Sequence, residues 1–222
     1  MAEVVLFVAF PYLALALAVF GGIYRYRHSR FTYSSLSSQL LENRRLFWGS
    51  VPWHYGIVIV LLAHLVAFLV PGVWARVIAD PTALYTFEVI GFALALAALT
   101  GLCVLIWRRL TQPRIAAVST VMDWALLLVL LVQVVLGFWV SLVYRWGADW
   151  YLHTAVPWLL SLVVLDPQTQ YVSSLPWVVK LHMLNGFLVI ALFPFSRLAH
   201  LVAFPFWYLW RPYQVVIRNR GN

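Results

Sequence analysis

The chain has 222 residues, of which 64% are hydrophobic and only 10% charged, with a formal net charge of +8; soluble domains carry roughly 45–50% apolar and about 25% charged residues. Such a balance excludes water as the main solvent, and because the arginines stand beside apolar runs rather than along a polar face, nucleic acid is excluded as the reason for the charge. Cys103 is the single cysteine and lies in an apolar run, so the chain holds neither an internal disulfide nor a complete cysteine-ligated iron–sulfur site.

A bilayer-crossing helix needs about 20 mostly apolar residues, and five segments qualify, near 4–24, 51–72, 85–107, 121–143 and 177–204. The first lacks a charged leading region and a small-residue cleavage site, so it is expected to be retained as a span. A long connection from Arg25 to Ser50 follows. Segment two carries His54 and His64; Pro52 and Pro71 stand near its ends, where a missing N–H is tolerated. Segment three runs into Arg108 and Arg109. Segment four begins beside Asp123, where an acidic group suits a helix N-terminus as a cap. The connection from Tyr144 to Pro176 contains Thr154–Leu165, apolar but too short to cross, which is expected to lie as a helix in the interface. Segment five carries His182 and His200 with Pro194 between them, and Pro194 is expected to kink it. No internal repeat or low-complexity stretch interrupts the pattern. The expectation is an all-α protein, a five-transmembrane-helix bundle forming one membrane domain over residues 1–222.

Charge sets the orientation. Arg25, Arg27, Arg30, Arg44, Arg45, Arg108, Arg109, Arg114, Arg197, Arg211, Arg218 and Arg220 fall on one side, whereas the other has only Arg76, Arg145 and Lys180 among Glu3, Asp80, Glu88, Asp149 and Asp166. Positive charge marks the cytoplasmic side, so the N-terminus is expected outside and the C-terminus in the cytoplasm. Trp48, Trp53, Trp74, Trp107, Trp146, Trp150, Trp177, Trp207 and Trp210 stand near segment ends, as interfacial anchors do.

Ligating groups inside apolar spans are functional candidates by default, and four of the six histidines are so placed. Neutral imidazole is a haem-iron ligand. Because segments two and five run antiparallel, His54 is matched in depth with His200 near the inner face and His64 with His182 further out, giving two bis-histidine sites. At 100° per residue, eighteen residues return His182 and His200 to one face, while ten leave His54 and His64 about 80° apart. The rises, about 27 Å and about 15 Å, do not match for straight helices, and a kink at Pro194 with tilted haems would absorb the difference. Gly56 and Gly186 would let a flat porphyrin approach the backbone. Two other readings of the four histidines stay open at this point: hydrogen bonding across helices, and zinc, which usually recruits cysteines or carboxylates close in sequence. His28 and His153 lie in connections and are left out of the sites. Arg108, Arg109 and Arg197 stand where guanidinium groups pair with haem propionates or a partner's surface, or simply mark the inner side.

The stretches SSQLL at Ser37–Leu41, WHYGIVIVLLAH at Trp53–His64, RRLTQPRI at Arg108–Ile115 and LHMLNGFLVIALFPFSRLAH at Leu181–His200 resemble the gamma subunit of respiratory nitrate reductase, a five-helix cytochrome b, over nearly the full chain. The resemblance implies two b haems, with His54 and His200 on the inner iron and His64 and His182 on the outer one. It further implies oxidation of a membrane quinol, menaquinol or ubiquinol, near the outer haem, and electron transfer inward to an iron–sulfur beta subunit that feeds a molybdenum-containing alpha subunit reducing nitrate. The setting would be the plasma (inner) membrane of a prokaryote. Around Ala83 to Tyr85, where a member of that family has a lysine associated with the quinol site, this chain has no basic residue. Quinol would enter from the lipid near His64, Gly91 and the outer connection, and the basic inner connection and tail would dock the iron–sulfur partner. The alternatives are a cytochrome b subunit of another molybdenum or iron–sulfur oxidoreductase, such as nitrite oxidoreductase, or a cofactor-free membrane anchor.

Overall fold

The computed structural model describes residues 1–29 and 44–201. The 37–41 motif, the arginines at 30, 211, 218 and 220, Trp207, Trp210 and the end of segment five beyond Leu201 lie outside the described residues.

Every described element is helical. The spans are α1 (Ala2–His28), α2 (Arg44–Leu69), α4 (Pro81–Thr111), α6 (Val121–Val143) and α10 (Trp177–Leu192). Short helices join them: α3 (Pro71–Ile78), α5 (Pro113–Ala117), α7 (Gly147–His153), α8 (Ala155–Val163) and α9 (Gln170–Ser173). The expected fold class therefore holds, and the third span extends past its apolar run at both ends. Pro52 sits inside α2, while Pro71 opens α3, a helix that hydropathy alone does not separate from segment two. In α1 the backbone widens to a π-helical turn over Val5–Ala9 just ahead of Pro11, whose ring would crowd the preceding turn.

The spans pack in the order α2, α4, α6, α10, α1. The two histidine-bearing spans, α2 and α10, stand at different places in this series and are not a packed pair. Two cores result. One joins Trp53, Ala98, Leu102 and Val134 between α2, α4 and α6; the other joins Phe7, Ala14, Trp158, Leu162, Val172, Phe187 and Ala191.

The stretch expected to lie in the interface forms a helix, α8, and what sequence did not show is that it packs into the second core, with Ala155, Val156, Trp158, Ser161 and Leu162 buried. Trp158 meets Phe7 and Phe187 edge-on and donates its indole N–H to the Phe7 carbonyl at 3.0 Å, close to the π-helical turn. Gly56 does not face an open slot for a flat group: a Cβ there would stand 2.6 Å from the Leu94 carbonyl oxygen and 2.9 Å from the Ala98 nitrogen. At Gly101 a Cβ would stand 2.5 Å from the Trp53 nitrogen and 2.6 Å from the Gly49 oxygen. These positions let α2 and α4 approach backbone to backbone, the usual role of small residues between membrane helices.

Segment five departs most from expectation. Its α-helix ends at Leu192; a 3₁₀ turn over Phe193–Phe195 contains Pro194, Ser196 is extended, and a second 3₁₀ turn runs over Arg197–Leu201. Proline supplies no N–H and clashes with the preceding turn, so the helix stops instead of kinking. His182 and His200 consequently do not share a helix face, and the 27 Å rise expected of one straight helix does not apply.

Replacing Gly101 by valine should force α2 and α4 apart and cost about 1–3 kcal/mol, seen as a lower unfolding midpoint in detergent. The same change at Gly72, where a Cβ meets nothing within 4 Å, should leave the midpoint nearly unchanged.

Candidate functional site

All four candidate histidines use Nδ1 in the same way. His54 donates it to the Ser50 carbonyl at 2.7 Å, His64 to Val60 at 2.8 Å, His200 to Arg197 at 2.6 Å, and His182 to Gln133 of α6 at 3.2 Å. A carbonyl only accepts, so each ring is fixed with its proton on Nδ1 and its lone pair on Nε2, as in metal-ligating imidazoles. Three of these bonds are made within the histidine's own element, and only His182 bonds across helices. Among the described residues, Nε2 of His54, His64 and His200 makes no hydrogen bond.

The structure brings His54 and His200 together: their ring centres are 6.3 Å apart with planes at 72°. A metal about 2 Å from each coordinating nitrogen requires ring centres roughly 6 Å apart, so this pair has a spacing at which both imidazoles could hold one iron. Among the described residues no ring contact joins His64 to His182; His64 packs against Tyr151 and His182 bonds to α6. Among the described residues, no group of three or more histidine, cysteine or acidic side chains is placed to hold a metal ion, the grouping a structural zinc site usually recruits. Two imidazoles without a carboxylate suit an iron whose other ligands come from a porphyrin.

Half-buried polar groups among the spans surround the His182 ring. Asn185 donates to the Val129 carbonyl at 3.0 Å and to Gln133 Oε1 at 2.8 Å, while Gln133 Nε2 lies 3.5 Å from His182 Nε2, at the limit of a hydrogen bond. Opposite, Gly137 makes room for the ring: a Cβ there would stand 2.8 Å from His182 Cε1. At the C-terminal half of α2, Tyr151 of α7 packs edge-on against His64, with ring centres 5.3 Å apart. The N-terminus of α7 is pinned by Glu88, which accepts from Ala148 N at 2.8 Å and Trp146 N at 3.2 Å, and by Trp74, which donates to the Ala148 carbonyl at 3.1 Å.

At the start of α6 Asp123 makes the expected cap as a reciprocal box: its N–H donates to Thr120 Oγ1 at 3.2 Å and its Oδ2 accepts from Thr120 N at 2.9 Å. It also takes a forked pair from Arg197, Nε to Oδ1 at 2.6 Å and Nη2 to Oδ2 at 2.9 Å, with Arg109 3.4 Å away. Arg197 is thereby engaged with a carboxylate rather than presented to a partner. Arg25 donates Nη1 to the carbonyls of Pro194 at 2.6 Å and Ser196 at 3.1 Å, satisfying groups that the broken helix exposes.

His28 stacks on Tyr24 and bonds its carbonyl at 3.0 Å, and His153 lies 3.8 Å from Asp149. Both have local partners outside the paired sites. Sequence reasoning missed Gln133, Asn185, Gly137, Tyr151 and the Arg197 pairing. Gln133 and Asn185 carried a usable signal, since each is a polar residue in the middle of an apolar span.

Fold and site together define a class: a multi-pass helical membrane protein in which imidazoles from two spans that do not pack together, those of His54 and His200, come within contact of each other. The family model for the nitrate reductase gamma subunit matches residues 3–219. The chain is 36% identical to the nitrate reductase gamma chain of Bacillus subtilis (strain 168), covering 95% of this chain and 96% of that one. It is 31% identical to the respiratory nitrate reductase 2 gamma chain of Escherichia coli (strain K12), covering 95% of each. A nitrate reductase-like protein, NarX, of Mycobacterium tuberculosis (strain ATCC 25618 / H37Rv) is 31% identical over 95% of this chain, the matched stretch making up 33% of that protein. The chain belongs to the nitrate reductase gamma subunit family and is a membrane-embedded subunit of an oxidoreductase.

Burial raises the Tyr151 phenol to about 12, above the ordinary value of about 10. An alkaline titration of phenolate absorbance, wild type minus Y151F, should therefore place this tyrosine's ionisation near pH 12 and not near pH 10. The sign follows: its neutral form is favoured in the fold, so its contribution to stability is intact below about pH 10 and is lost as pH rises through about 12.

Proposed function

We propose that residues 1–222 form a single di-haem cytochrome b domain that takes electrons from membrane quinol and passes them to an iron–sulfur partner subunit, which serves a molybdenum-containing subunit that reduces nitrate. The carrying observation is the donor set: four imidazoles with Nδ1 committed to carbonyls, and the His54–His200 rings at iron-bridging distance. In this reading His54 and His200 hold the inner haem and His64 and His182 the outer one. Bound haem iron supplies one-electron chemistry, and two centres in depth order make a relay.

The chain's own groups have separate tasks. The carbonyls of Ser50, Val60, Gln133 and Arg197 keep each Nε2 basic and aimed. Tyr151 and α7 cover the outer imidazole. A recess of about 390 Å³ lined by Pro81, Leu84, Trp146 and Asp149 lies at the same end, and the open space beside Gly91 leaves a lipid-side approach for menaquinol or ubiquinol. Oxidation of the quinol yields two electrons, which go inward singly, and two protons, which leave on the outer side. With the arginine-rich end in the cytoplasm and the N-terminus outside, this reaction would add to the membrane potential. The positive inner end would steer an acidic iron–sulfur partner.

The test is the reduced optical spectrum and haem content of the purified protein. Two b haems per chain are expected; H54A and H200A should each lose one and the same spectral component, and H64A and H182A the other. A protein with no b-type band would instead be a cofactor-free anchor, and losses that couple His54 with His64 would overturn the assignment. Gly137→Val, which drives a side chain into the His182 ring, should weaken the outer haem roughly 10-fold or more and leave the inner component in place.

A further inference from the structure

The inner and outer ligands of segment five are held by different devices. His182 stands on a regular helix, whereas His200 stands on a 3₁₀ turn beyond a helix break. Among the described residues, a chain of contacts ties this turn to the start of α6. Thr120 and Asp123 close the reciprocal cap; the Asp123 carboxylate, only 5% exposed, receives both arms of the Arg197 guanidinium; and the Arg197 carbonyl accepts His200 Nδ1–H at 2.6 Å. A planar guanidinium forked onto a carboxylate restricts orientation as well as distance. The residue that grips Asp123 is thus the residue whose backbone aims the ring.

We propose that Asp123, acting through Arg197, is a positioning residue for the inner haem: it sets the angle and basicity of His200 without touching the iron, and its loss affects the inner site selectively. The proposal rests on the reading of His200 as a haem ligand. The helix cap alone does not account for the arrangement, because capping α6 requires only Thr120 and an acceptor at position 123, whereas the fork reaches a turn 74 residues away in the chain.

The experiment uses the full chain in detergent, with haem content and low-temperature electron paramagnetic resonance, which separates two bis-histidine haems by the angle between their imidazoles. The variants are D123N, which keeps an acceptor for the cap but removes the charged fork, R197Q, the double D123N/R197Q, and T120A, which weakens the cap while leaving the fork. The expected result is a shift of the inner-haem signal and roughly 10-fold weaker inner-haem retention in D123N and R197Q, no further loss in the double variant, and an unchanged outer signal in all of them. T120A should keep the inner signal in place. An unshifted inner signal in D123N, or an equal shift in T120A, would overturn the proposal, since the cap would then explain Asp123. H200A separates the two readings: if it removes the inner signal while D123N does not alter it, positioning alone fails, and if H200A leaves both signals intact, the ligand assignment and the proposal fall together.

Discussion

An imidazole acts as a metal donor only through a nitrogen that carries no proton, and a hydrogen bond from Nδ1–H to a backbone carbonyl favours the tautomer that leaves Nε2 in that state. Four times in this chain that bond is made, to Ser50, Val60, Gln133 and Arg197. For His54 and His64 the acceptor is the carbonyl one turn back, available on any helix. His200 likewise uses a local acceptor, three residues back in its own 3₁₀ turn, and only His182 draws on a neighbouring span. Three of the four rings are therefore held by local geometry and one by tertiary structure.

The break in segment five places its second histidine beside α2. A straight helix from His182 to His200 would separate the rings by about 27 Å, against about 15 Å between His54 and His64; with the helix ending at Leu192, the His200 ring comes to 6.3 Å from that of His54. The break exposes backbone carbonyls in an environment with no water to bind them. Arg25 meets two of those carbonyls, and Asp123 holds the following turn through Arg197. These basic residues count toward the orientation signal read from sequence, yet two of them are structural parts of the fold. Positive charge at the inner boundary thus has two uses in one chain.

Much of this was legible beforehand. Segment four was bounded correctly at 121–143 because an uninterrupted apolar run ends there in polar residues on both sides. The four histidines stood out because lipid makes an unpartnered polar side chain expensive, and depth matching joined His54 to His200 without any knowledge of packing. What was not legible depended on contacts remote in sequence. Pro194 announced a disturbance, but whether it kinked or ended the helix was decided by Arg25 and Asp123, 169 and 74 residues from their partners. Gly56 was misread because a glycine two residues after a ligand serves either a cofactor or a neighbouring helix, and only the position of α4 decides which. The burial of α8 was hidden for a related reason: its apolar face matches the second core as well as it would match lipid.

A span that carries no histidine organises the surroundings of two of them. Helix α6 contributes Asp123 at its N-terminal end and Gln133 and Gly137 near its middle, so the carbonyl and the space that orient His182, and the carboxylate that holds the turn bearing His200, all come from one rigid element. Packed between α4 and α10, α6 links the position of the α2–α4 pair to the histidines of segment five, although α2 and α10 are not themselves packed together. With those two spans held apart through α4 and α6, the orientation of the segment-five imidazoles comes under the control of residues that a search for histidines alone would pass over.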